Sequence, residues 1–198
     1  MTIHPGTAVG FRNDPDGDLW TWYSLVVRQG ARLVSLGTPT HPNVLAPVHY
    51  VQEGPFASTV HTLLIPDLEP NPESLPSPVL DFRFTDFYFP AEDFILQAGF
   101  SWDFFGGTSP SSSMQWNLSE CHLHGGGIML GTPWPDDPYP FYEAGSLSWF
   151  NNLFDRVKIT LNPIFYADWG EINVDLRFHA YNNLFRDQTF FLNPLPTS

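Results

Sequence analysis

Residues 171–185 read EINVDLRFHAYNNLF, and the first ten of them alternate strictly between polar and apolar side chains. Successive side chains of a β-strand point to opposite faces, so this alternation predicts a half-buried strand. Residues 157–161 alternate in the same way. Because Ala167-Asp168-Trp169-Gly170 lies between the two segments, the sequence predicts that they pair as an antiparallel hairpin.

The end of the quoted stretch echoes an earlier one. Residues 150–154 read FNNLF and residues 181–185 read YNNLF, and Leu-Asn-Pro recurs at the same offset of 31 residues. Two interpretations are open: a duplicated supersecondary unit covering 150–164 and 181–195, or coincidence in a chain rich in these residue types. Two copies are too few for a solenoid or a propeller. The sequence therefore predicts one β-rich domain over residues 1–198.

The rest of the chain is divided into short pieces by 20 Pro and 15 Gly residues. Interior proline removes a helical hydrogen bond, so at most one short helix is expected, beginning at Ser146. Other alternating segments include residues 80–89, where the alternation slips by one residue as in a β-bulge. The predicted fold class is all-β and mainly antiparallel: a β-sandwich, a jelly roll or an open barrel with long Pro/Gly-rich loops.

Composition and charge narrow the classes of partner. The chain has 21 acidic and 8 basic residues, for a net charge of −13. Such a surface repels nucleic acid and anionic membranes, so neither is an expected partner. Cys121 is the single cysteine, which excludes an intramolecular disulfide. Without a signal-peptide pattern or an apolar stretch of membrane-spanning length, the protein is expected to be made in the cytoplasm.

Two segments carry residue types that bind metal ions. Asp14, Asp16 and Asp18 alternate around a turn and offer oxygen ligands to a hard cation, although Asp-Pro-Asp-Gly is also an ordinary turn sequence. His122 and His124 would share one face of a strand, in phase with Glu120, and suit zinc, iron or manganese in a cupin-like β-barrel enzyme. The alternative for the two histidines is a structural or surface role. No cofactor is predicted.

A third candidate is the Pro-rich segment from Gly131 to Tyr142, where Trp134, Tyr139 and Tyr142 lie near carboxylates. Aromatic rings beside carboxylates suit stacking on a sugar, and they suit a protein interface equally well. The alternative is a loop whose rings pack back onto the sheet.

No nucleophile motif or phosphate-binding loop is found in the sequence. Aromatic residues make up 16% and charged residues 15%, a balance typical of a large core or of subunit interfaces. The leading hypothesis is a non-enzymatic structural subunit that acts through protein–protein contacts, as a homo-oligomer or in a hetero-assembly. A virus-particle or phage-tail component is the example considered, with incorporation into a particle left open. The alternatives are a carbohydrate-binding β-sandwich and the metal-dependent barrel enzyme.

Overall fold

The computed structural model describes residues 1–11, 25–47, 62–66, 75–89, 94–98, 113–130, 144–161, 175–187 and 189–192. These residues form eighteen short strands arranged in three sheets of six. Consecutive strands belong to different sheets, and every third strand returns to the same sheet. The chain therefore winds as a β-solenoid of six turns, each turn contributing one strand to each sheet.

The first sheet holds β1 (Thr2–Ile3), β4 (Arg32–Leu36), β7 (Val79–Arg83), β10 (Ser113–Ser119), β13 (Ala144–Phe150) and β16 (Asp175–Tyr181). The second holds β2 (Ala8–Phe11), β5 (Asn43–Pro47), β8 (Thr85–Tyr88), β11 (His122–His124), β14 (Leu153–Asp155) and β17 (Leu184–Arg186). The third holds β3 (Leu25–Val27), β6 (Thr62–Pro66), β9 (Phe94–Ala98), β12 (Gly127–Leu130), β15 (Lys158–Leu161) and β18 (Thr189–Leu192).

Neighbouring strands in all three sheets run parallel. The predicted mainly antiparallel fold, whether β-sandwich, jelly roll or open barrel, is therefore wrong. The hairpin joining residues 157–161 to 171–181 is wrong as well, because β15 pairs with β12 and β18, whereas β16 pairs with β13. A chain that winds in one direction meets its earlier turns in parallel, and apolar alternation is the same for either strand direction.

The turns of the solenoid are related by regular offsets near its C-terminal end. Phe150 pairs with Tyr181 and Leu153 with Leu184, so equivalent residues of these two turns are 31 positions apart. The similar segments 150–164 and 181–195 are separated by this same offset of 31 residues. The expectation that the echo excludes a solenoid is wrong, because the earlier turns share the architecture without repeating the same residues. A single domain over residues 1–198 stays a prediction.

The corner between the first and second sheets explains two errors of the sequence reading. Phe84, Glu120, Asn151 and Asn182 occupy this corner in successive turns, all with φ between 46° and 56°. One left-handed residue reverses the inward and outward phases between two strands, which is the slip that residues 80–89 display. The same corner separates β13 from β14, where a helix from Ser146 was predicted; that helix is wrong. Asparagine adopts this conformation more readily than most residues.

The residue after the corner points inward and ties the turns together. The Oδ1 atom of Asn152 accepts a hydrogen bond from the backbone N–H of Cys121 at 2.9 Å, and the Oδ1 atom of Asn43 accepts one from Thr7 at 3.0 Å. The Nδ2 group of Asn152 donates to the carbonyl of Leu118 at 3.1 Å. These side chains satisfy backbone groups at the bend between two ladders, where burial without a partner is costly.

The core is a stack of apolar side chains enclosed by the three sheets. Trp116 and Trp149 are fully buried and meet edge to face, with ring centroids 5.3 Å apart. Trp149 also meets Phe178 edge to face at 4.9 Å, and Phe154 stacks on Phe185 at 4.9 Å. Edge-to-face contacts are favourable beyond the burial of area, so these columns stabilise neighbouring turns directly.

Among the described residues, no helix is long and apolar enough to cross a membrane.

Candidate functional site

The outer surface of the second sheet carries a group of polar and titratable side chains. In β8, β11 and β14 the residues Phe87, Leu123 and Phe154 point inward and are fully buried. The residues on either side of them therefore point outward. We call the resulting surface the lateral face; it contains Asp86, Tyr88, His122, His124, the side chain of Asp155, which its neighbours cover to 1% exposure, and Arg186 of β17.

Strand register places each histidine of the lateral face beside a carboxylate. His122 pairs with Asp86 of the preceding turn, and His124 pairs with Asp155 of the following turn. The Nδ1 atom of His122 lies 3.7 Å from Oδ1 of Asp86, and that of His124 lies 3.8 Å from Oδ2 of Asp155. Both distances exceed a direct hydrogen bond, so the carboxylates act on the imidazoles through charge.

The ring of His124 is held by its neighbours. It stacks on the ring of Tyr88 with centroids 4.5 Å apart and an angle of 3° between the planes. Burial lowers the pKa of His124 below its usual value, and the nearby His122 lowers it further. His124 is therefore neutral at neutral pH, and a neutral imidazole has one nitrogen with a lone pair available to a ligand.

Asp155 links two turns of the solenoid on the lateral face. Its carboxylate accepts hydrogen bonds from Nε of Arg186 at 2.8 Å and from Nη2 of Arg186 at 2.6 Å, a two-point contact between turns. Arg156 adds a longer contact at 3.4 Å. The hydrogen bonds from Arg186 lower the pKa of Asp155 to about 2. The carboxylate is therefore ionised throughout the neutral range and fixed in position beside His124.

The structure separates Glu120 from the two histidines with which it was grouped. Glu120 occupies the left-handed corner, where its carboxylate accepts a hydrogen bond from Asn151 at 2.7 Å. Glu120 is out of phase with the histidines because the strand ends at Ser119, before the corner. The residues that do lie beside the histidines, Asp86 and Asp155, are 36 and 31 positions away from their partners. Only the strand register identifies them.

The lateral face does not contain a complete metal-binding set. Within the described ranges, no three His, Cys, Asp or Glu residues are grouped closely enough to hold a metal ion. The barrel of the predicted cupin-like enzyme is wrong, since both histidines lie on the outside of a solenoid. The calcium candidates Asp14, Asp16 and Asp18 and the sugar-binding candidates Trp134, Tyr139 and Tyr142 lie outside the described residues. Both roles stay predictions.

Cys121 follows the corner residue Glu120 and lies inside the solenoid. It is not part of a reactive site. It is fully buried, and burial raises the pKa of its thiol to about 12. Its sulfur contacts the carbonyl oxygens of Ser119 at 3.3 Å and Phe82 at 3.5 Å. A buried neutral thiol is a poor nucleophile, so Cys121 has a packing role.

The last two turns of the solenoid expose apolar side chains to an unusual extent. We call Phe150, Tyr181, Leu184 and Phe185 the C-terminal apolar end; their exposed fractions are 40%, 72%, 64% and 42%. At the other end of the solenoid, the inward residues Ile3 and Val27 are only 4% and 5% exposed, although Met1 is 66% exposed. The two ends therefore differ, although both are ends of the same three sheets.

No protein-family model, curated protein or solved structure is significantly similar to this chain. The fold defines a parallel β-solenoid, an architecture that by itself assigns no activity. The parallel sheets overturn the β-sandwich subunit, and no comparison supports the virus-particle or phage-tail examples.

Proposed function

We propose that this chain is a structural subunit that acts through protein–protein contacts made by its C-terminal apolar end. The observation that carries the proposal is the exposure of Phe185, an inward ring that no later described turn covers, with the outward-facing Tyr181 and Leu184 exposed beside it. Solenoid proteins depend on polar terminal turns to stay soluble, because each apolar turn is covered by the next. A terminal turn with large exposed apolar side chains is typical of a surface that a partner covers.

The ring stack of the core supports this role. Phe154 is fully buried beneath Phe185, whereas Phe185 is stacked on one side and 42% exposed. A partner that places apolar side chains on Phe185 would continue the stack by one layer. Burying an aromatic side chain contributes about 1.5–3 kcal/mol, so a few such contacts supply the core of an interface.

The strand edges of the same turn offer backbone groups to a partner. β16, β17 and β18 are the last strands of their sheets among the strands described. β16 is seven residues long and pairs along its whole length with β13. The edge of a sheet is a template for another strand, and edge pairing adds directional hydrogen bonds to the apolar contact.

The distribution of charge favours a second copy of the chain as the partner. Residues 144–198 contain four of the eight basic residues but only five of the 21 acidic ones. Most of the net charge of −13 therefore lies in the first 143 residues. Two copies that meet through their C-terminal turns bring together the nearly neutral parts of an acidic chain, which minimises repulsion.

The difference between the two ends favours a two-fold arrangement over a head-to-tail one. A head-to-tail polymer would need a matching apolar surface at the N-terminal end, where Ile3 and Val27 are buried. A two-fold pairing uses the same surface twice and closes after two copies. It would place β16 of one copy beside β16 of the other in antiparallel orientation.

Light scattering across a concentration series of about 1–500 µM tests the proposal. The wild type is expected to rise from a mass of 22.4 kDa to twice that value. The Leu184→Lys variant is expected to stay at the monomer mass, because a buried lysine charge would lack a partner. Leu36→Lys is the matched control, since Leu36 is 45% exposed on β4, away from the last turn, and this variant should dimerise normally. A wild-type monomer at all concentrations would refute the proposal.

A further inference from the structure

We infer that His122 and His124 together bind one divalent transition-metal ion, such as Zn²⁺, Ni²⁺ or Cu²⁺, on the lateral face. The two residues stand at alternate positions of β11 on either side of the buried Leu123, so their rings project to the same side. Imidazole nitrogen is a preferred ligand of these ions. The site is separate from the C-terminal apolar end and does not rest on its role in assembly.

The spacing of the rings fits a shared ion. Their centroids are 5.8 Å apart and their planes form an angle of 84°. A metal at about 2.0–2.1 Å from an imidazole nitrogen lies about 3.2 Å from the ring centroid, so two rings that share one ion have centroids at most about 6.4 Å apart. The observed separation is within this reach. The two rings meet edge to face, so the more exposed His122 must rotate before both rings direct a nitrogen at one ion.

The carboxylates orient the imidazoles for this purpose. In each ring Nδ1 is the nitrogen that lies near the carboxylate of Asp86 or Asp155. A negative charge beside Nδ1 favours the tautomer with its proton on that atom, which leaves the lone pair on Nε2. In metal sites a carboxylate that accepts a hydrogen bond from the ligand imidazole raises its basicity; here Asp86 and Asp155 act on the rings through charge, at 3.7 and 3.8 Å.

The remaining features of the lateral face select the kind of ion. Stacking on Tyr88 fixes the plane of His124, so less freedom is lost when the ion binds. Asp155 is engaged by Arg186, which keeps this carboxylate beside the ring and away from the ion. The site thus offers two imidazole nitrogens, with water completing the coordination. Calcium and magnesium require several oxygen ligands and are not expected to bind here.

Isothermal titration of the full chain with ZnCl₂ and NiCl₂ tests the inference. One ion per chain is expected, and His122→Ala or His124→Ala is expected to weaken binding at least tenfold. His41→Ala is the matched control, because His41 is an exposed histidine at a turn between β4 and β5. This variant should bind as the wild type does.

A second readout identifies the ligands directly. The electron paramagnetic resonance spectrum of bound Cu²⁺ is expected to show coupling to two imidazole nitrogens, reduced to one in either single variant. Circular dichroism establishes that each variant is folded. Unchanged binding in the His122→Ala/His124→Ala double variant would overturn the inference, as would the absence of binding at millimolar metal. Because the test does not depend on dimerisation, its failure leaves the proposed assembly role untouched.

Discussion

The Oδ1 atom of Asn183 accepts a hydrogen bond from the backbone N–H of Asn152, one turn earlier, at 3.0 Å. It also accepts one from the side-chain Nδ2 of Asn152 at 2.9 Å. Asn152 in turn accepts from the backbone of Cys121. Each asparagine therefore closes the corner of the turn before it, and the corner residues form a ladder inside the solenoid.

Replacing Asn152 with alanine is expected to destabilise the protein by about 2–4 kcal/mol, because the buried N–H of Cys121 and the carbonyl of Leu118 lose their partner. Urea denaturation followed by circular dichroism measures the change. The control is Asn151→Gly, which keeps the left-handed corner and removes only exposed hydrogen bonds. Its expected cost is below about 1 kcal/mol. Equal losses in the two variants would contradict the internal ladder.

Alanine variants of the stacked residues Phe154 and Phe185 distinguish an effect on folding from an effect on assembly. Phe154→Ala leaves a cavity beneath the last turn and is expected to cost about 3–5 kcal/mol of stability. Phe185→Ala removes a ring that is already partly exposed, so its cost in the monomer is expected to be about 1–2 kcal/mol. The same variant should dissociate the dimer, which sedimentation equilibrium measures. A Phe185→Ala dimer as strong as the wild type would place the interface elsewhere.

Because Asp155 pairs with Arg186, we expect the folded protein to lose stability in acid. In the folded protein the pKa of Asp155 is about 2, below its usual value of 3.8, so the stabilisation is complete above pH 3.8. It is lost as the pH falls through about 2 and the carboxylate is protonated. Melting temperatures of wild type and Asp155→Asn should therefore differ at pH 7 and converge toward pH 2. A difference that stays constant down to pH 2 would show that the charge of Asp155 is not the cause.

Cys121 is expected to resist modification in the folded protein. Because burial raises its pKa to about 12, almost no thiolate forms at pH 8. Ellman's reagent should titrate no thiol in native buffer and one thiol per chain in 6 M guanidinium. Full reaction of the native protein within minutes would indicate that the corner opens.

The outer carboxylate Asp86 is expected to act on metal affinity without touching the ion. Asp86→Asn should weaken Zn²⁺ binding by about 10–100-fold, because the neutral amide orients and polarises His122 less strongly. The control is Asp81→Asn on β7, whose carboxylate faces Arg32 at 3.9 Å on a different sheet. Calorimetric titration of both variants provides the comparison. An Asp86→Asn variant with wild-type affinity would limit the site to the two imidazoles.

Much of the local structure is readable from the sequence. The alternation of residues 175–181 correctly separates Phe178, which packs on the core, from the exposed Arg177 and His179. The alternate spacing of His122 and His124 likewise places both on one face of a strand. These features depend on the two-residue period of a strand, which every segment carries in its own side chains.

Strand direction, register and neighbourhood were decided by the tertiary structure alone. Alternation is the same in parallel and antiparallel sheets, so it predicted a hairpin between two strands that in fact belong to different sheets. The offset between partners is 36 residues for His122 and Asp86 but 31 for His124 and Asp155, because turns differ in length. The lateral face and the C-terminal apolar end exist only once successive turns are stacked. Hydrogen bonds between turns, not local preferences, determine which side chains meet.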